Sequence, residues 1–424
     1  MVLLATMIVV GLLVIGGVFL IPRLPDVPDP FDVETFRRTT VPPGDNAFEL
    51  YRQATAKLRP LPPEQQASFD AALETGWAAA NPELRLWLEQ NGEALELYRQ
   101  GSTRPDALAD PPGTPVVGLG RETQELRALA RLARLEAARR EQGGDWAGAA
   151  DLYRVILRSS RHAGRRGPAI HRLIGVSLHA LAADALVRWA AAPEVDAALL
   201  KEALADVREI DRQTSPLSQA LQGEYVGAQS SLDALPATAF VQKRTTRRCL
   251  RLGFENWLSQ CDRPRPARMA TLPGESGLFQ ADPAAPAPRI SAAQIEASSN
   301  GAPLAKLFFP AIRQLIEAHD RERARQGLLE LDLALQLYAR EHGAFPETLA
   351  PLVGAPLEEI PADPFGHGEP LRYRRAADGS AVLWSIGPDG VDDGARVNLL
   401  TTPGPPGASG DLALPLSPPG RAPE

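Results

Sequence analysis

The sequence predicts an α+β fold: an apolar N-terminal helix, an all-helical middle domain, and one long C-terminal helix packed on a small antiparallel sheet. Three observations predict it. Residues 1–21 carry no charged side chain. From 122 to 210, apolar residues recur at helical spacing almost without a break. Past Pro370, Leu371 and Tyr373, then Val382, Trp384 and Ile386, alternate as strands do when one face rests on an apolar layer.

The chain of 424 residues has room for two or three domains, and its 44% apolar content can fill real cores. A net charge of −7 with mixed signs gives no electrostatic argument for nucleic acid, whose binders carry basic patches. Arg dominates the basic residues; Lys occurs only at Lys57, Lys201, Lys243 and Lys306. The 40 prolines concentrate in a few stretches, which marks linkers and loops.

Residues 1–22 match the length a helix needs to cross the hydrocarbon core, about 20 apolar residues. A cleaved signal peptide would show a charged start, a shorter apolar run and a small-x-small site, and none is present. A single-pass membrane anchor is therefore expected. Arg23, Arg37 and Arg38 follow it, and on charge alone they would hold that side in the cytoplasm. Residues 23–43 read as an extended Pro-rich linker.

The helical domain is expected over 44–235. Asn81–Pro82 is a helix start, with Asn capping and Pro in the first turn. Leu84, Trp87, Leu88, Leu95 and Tyr98 form one apolar stripe. Residues 122–163 read as a helical hairpin of tetratricopeptide character. Ala137 and Ala138 permit close approach, Gly144–Asp145–Trp146 turns the chain, and Tyr153 marks the second helix's inner face. No second copy appears at the same period, so a solenoid is excluded. Helices over 168–191, 194–212 and 216–233 complete the domain.

Residues 236–300 read as an irregular connector with one short amphipathic piece around Cys249 and Cys261. On one continuous helix the two thiols would lie roughly 18 Å apart. Bonding would need a break at Gly253, and spacing leaves both outcomes open. A helix then runs from near Pro303 to His342, with a bend allowed at Pro310, and Gly343 ends it.

Residues 301–402 form the last predicted domain, with 403–424 as a Pro-rich tail. Pro346 prevents the long helix from restarting, and Asp363–Pro364 and Gly366–His367–Gly368 make turns. The matching residues are Ala334–Leu335, Tyr338, Gly343, Phe345–Pro346, Leu349, Leu352, Asp363–Pro364–Phe365–Gly366, Pro370–Leu371–Arg372–Tyr373, Trp384–Ser385–Ile386–Gly387–Pro388–Asp389–Gly390 and Asp392–Asp393–Gly394. In order, spacing and type, this stretch resembles the globular part of the type II secretion major pseudopilin. The resemblance implies an exported, periplasmic bulk on the bacterial inner membrane. It also implies a structural Ca²⁺ held by Asp389, Asp392 and Asp393, with Asp411 either a further ligand or the start of a last strand. A Gly-punctuated acidic loop suits a hard cation that takes six to eight oxygens. The prepilin leader and its glutamate have no counterpart in residues 1–21, so the domain reads as a reused module and not a pilus subunit.

No HExxH, GxSxG or Walker motif is present, and VVGLGRET lacks the third glycine of a dinucleotide loop. His171 and His179 share a helix face without a carboxylate at ligand spacing. The expectation is a membrane-anchored, non-catalytic envelope scaffold with an unidentified protein partner, no nucleic acid and no evident small-molecule substrate. A helical adaptor binding through Trp146 and Tyr153 is one rival. A hydrolase using Asp363 with Asp389–Asp393 is the other.

Overall fold

The computed structural model describes residues 27–114, 121–236, 240–259, 261, 309–366, 368–395 and 410–417. The expected anchor over 1–22, most of the connector, His367 and most of the tail lie outside the described residues. The chain is mostly helical with one small antiparallel sheet, and it divides into two compact units.

One unit comprises Met1–Thr39, Pro112–Val117 and Leu221–Arg313. The linker expected to be extended over 23–43 contains a short helix, α1 (Val33–Arg37). Asp32 caps it, accepting from Thr35 N at 3.0 Å. The sequence signal for α1 was faint because one turn has no periodicity to read. The expected irregular connector likewise contains a full helix, α11 (Phe240–Leu258). Its apolar positions are few, and Pro/Ala-rich sequence follows it, which masked the pattern. Tyr225 on α10 (Leu217–Asp233), Phe254 and Trp257 form an edge-to-face stack with centroids 5.2 and 5.0 Å apart. Cys249 and Cys261 are both buried, and no disulfide joins them. Cys261 Sγ donates to Leu258 O at 3.1 Å, and burial pushes the Cys249 thiol up to about 11.

The other unit comprises Thr40–Pro111, Gly118–Ala220 and Gln314–Glu424, so the helical domain and the C-terminal module of the sequence reading share it. Its first helices are α2 (Ala47–Lys57), α3 (Gln66–Thr75), α4 (Pro82–Gln90) and α5 (Gly92–Ser102). Asn46 and Asn81 cap α2 and α4, the second as its position predicts. The hairpin is α6 (Arg121–Gln142) and α7 (Trp146–Ala163), with Asp145 accepting from Gly148 N at 2.9 Å. Next come α8 (Ala169–Ala191) and α9 (Ala197–Arg212). Gly175 is required where α8 meets α7: a Cβ there would stand 2.5 Å from Ser160 O. Among the described residues, α8 is the one helix long and apolar enough to cross a membrane, with mean hydropathy 1.3. More than half of that span is buried in protein, which is the pattern of a core helix.

The long helix α12 (Phe309–His342) is buried from Leu328 through Leu337 on nearly every side. Gly343, at φ +84°, ends it. Arg340 caps the C-terminal end of α8, donating to Ala192 O at 2.7 Å and Val195 O at 3.1 Å. On another face, Gly327 leaves room for Leu371, whose Cδ1 would lie 2.7 Å from an added Cβ. The sheet has order β1-β2-β3: β1 (Arg372–Arg375), β2 (Ala381–Ser385) and β3 (Leu412–Leu416), antiparallel throughout. Tyr373 pairs with Leu383, and Leu383 with Leu414. Strand β3 falls in the stretch expected as tail; its alternating Leu412, Leu414 and Leu416 supply the burial that holds it there.

Candidate functional site: an aspartate turn and a buried charge cluster

The first candidate is the turn that follows β2. Its organiser is Asp363, whose side chain has no exposed surface. The Asp–Pro–Phe–Gly turn is closed by Gly366 N donating to Asp363 O at 3.0 Å. The carboxylate then accepts from Phe365 N (3.0 Å), Ser385 Oγ (2.7 Å), Ile386 N (2.9 Å) and Arg372 Nη1 (3.3 Å). One buried acid thus ties the turn to the ends of β1 and β2. Four donors use most of its lone pairs.

Asp389, Asp392 and Asp393 lie just beyond. Asp389 accepts from Val391 N at 3.1 Å and from Gly410 N at 2.9 Å, so it staples the turn to the start of β3. Asp392 accepts from Trp384 Nε1 and Gly394 N, each at 3.0 Å, and pairs with Arg372 Nε at 2.8 Å. Burial works against the Asp392 carboxylate, but these hydrogen bonds and the Arg372 charge hold it below the usual carboxylate range. Asp393 contributes its backbone N–H to Asp411 Oδ1 at 3.3 Å, and Ala395 N donates to Asp411 Oδ2 at 2.6 Å. Asp411 is raised by burial and then by the negative Asp392 and Asp393 nearby. Backbone approach is closest at Gly387, φ +74°, where a Cβ would stand 2.0 Å from Gly410 O.

The expected calcium ligands therefore share one loop, but their oxygens face backbone donors, an indole and a guanidinium. Among the described residues, no three His, Cys, Asp or Glu side chains converge as a ligand group. The loop is closed by its own hydrogen bonds.

The second candidate was not anticipated. Arg161 on α7 and Arg172 on α8 both bond the carboxylate of Glu322 on α12, and all three side chains are nearly inaccessible. Asp211, near the end of α9, takes Arg161 at 3.1 Å and Arg323 at 2.7 Å on each oxygen. Burial opposes the charge on Glu322, yet Arg172 and Arg161 hold its carboxyl far below the ordinary range. His179 donates through Nε2 to Gln326 Oε1 at 2.8 Å. Burial, and then the Arg161 charge, push His179 down to about 4, so it is neutral at physiological pH. His162 is likewise buried, bonded to Tyr51 Oη at 2.8 Å and pushed down to about 3, first by burial and then by Arg165. Neither is poised as a base near neutrality.

Nearly three turns beyond Glu322 on α12, Asp332 is wholly buried. Gln336 Nε2 reaches its Oδ1 at 3.4 Å, and its Oδ2 has no partner. Burial pushes it up to about 7, against the modest pull of Gln336. The adaptor residues are also placed. Tyr153 is 3% exposed and donates to Glu141 Oε1 at 2.6 Å; Trp146 is half-buried, and its carbonyl accepts from Trp189 Nε1 at 3.0 Å. Tyr153 thus packs the hairpin's interior and is out of a partner's reach.

Sequence reasoning missed Arg161, Arg172, Asp211 and Glu322 because their pairing spans up to 161 residues of chain. The available signal was a charge on an otherwise apolar helix face, and Arg is too common here for that to stand out. No family model, curated protein or solved structure matches the chain.

Proposed function

We propose that the chain is a non-catalytic scaffold of a bacterial envelope, tethered to the inner membrane by residues 1–22 with its bulk exported, and linked to secretion or surface assembly through a protein partner. The observation that carries the reading is how its acids are used. Asp363, Asp389, Asp392 and Asp411 all close a turn onto a sheet, and Glu322 and Asp211 neutralise buried arginines. Such acids serve as architecture. The long helix, the three-stranded sheet and the Asp363 hub support the pseudopilin-like character of the module. Structural calcium at Asp389, Asp392 and Asp393 rests on the sequence resemblance alone.

The test is protease accessibility of the full chain in inverted and right-side-out membrane vesicles, combined with crosslinking of the exported portion and identification of what is captured. Protection in right-side-out vesicles, or crosslinking that yields only the chain itself, would end the proposal. For calcium, the full chain in detergent is melted with excess Ca²⁺ and with EDTA. A rise in Tm that D389N and D393N abolish supports the site, and equal Tm values remove it.

A further inference from the structure

We draw no further inference here: the strongest candidate, the small apolar cleft lined by Ala150 on α7, Leu186 on α8 and Ala203 on α9, carries nothing because nothing in the structure shows what covers it.

Discussion

The charge cluster around Glu322 and the aspartate turn around Asp392 hold negative charge in opposite ways. Around Glu322 the carboxylate is sealed from water and answered by guanidinium groups from two other helices. Around Asp392 it stays 42% exposed and is answered by an indole, a backbone N–H and one arginine, all nearby in sequence. The sealed cluster must be complete to be tolerable, because an uncompensated buried charge costs far more than a lost surface pair. The turn can lose a member and let water take its place. Long-range charge therefore fixes how α12 meets α7 and α8, and short-range charge only shapes a loop.

The largest effect expected from that contrast is at Glu322. E322Q leaves Arg172 buried without its carboxylate and Arg161 with Asp211 alone, and costs roughly 3–5 kcal/mol in urea unfolding. Replacing Arg161, Arg172 and Glu322 together by apolar residues of similar volume recovers most of that loss. Failure of the triple variant to recover would mean that Asp211, left with Arg323 alone, depends on Arg161. Next is D363A, which takes the carboxylate acceptor from Phe365 N, Ser385 Oγ and Ile386 N at once. A loss of about 3 kcal/mol is expected, with hydrogen exchange quickening in β1 and β2 before it does in α7 or α8.

How much of this was legible in the sequence follows the same divide between local and distant. Asn81, Asp145 and Gly343 announced their helix ends because capping is decided by a few neighbouring residues. The hairpin and the β1 and β2 strands were readable for the same reason. Strand β3 was read only as one of two alternatives at Asp411, since its Pro-rich approach reads as tail and its burial depends on pairing with β2. Asp389 and Asp392 were found as residues, but their partners were not: Gly410 is 21 positions away and Trp384 lies across the turn. The Glu322 cluster left only a charge on an apolar helix face, because nothing near Arg161 in sequence indicates that α12 will cover it.

Two further aspartates sharpen the contrast through pH. Asp332 is raised in the folded chain from 3.8 to about 7. Ionising it opposes folding, so the penalty is absent below about pH 4, grows through the interval to 7 and is constant above it. D332N removes that penalty, and a gain of about 2 kcal/mol is expected at pH 8, shrinking to nothing near pH 4. A gain that did not vary with pH would place the benefit in packing instead of charge.

Asp392 runs the other way and more weakly. Its folded carboxyl is held below 3.8, so its contribution is present above that value and is lost as pH falls through the folded value. D392N should therefore destabilise at neutral pH and cease to matter in acid. The exposure of the side chain keeps the loss under about 1 kcal/mol, and added salt should diminish it further by screening Arg372. E322Q should be almost insensitive to the same salt, because ions cannot enter the sealed cluster. Measuring both variants at low and high ionic strength separates the two regimes directly. Equal salt sensitivity would mean that water reaches Glu322, and with it the distinction between the sealed cluster and the open turn would fail.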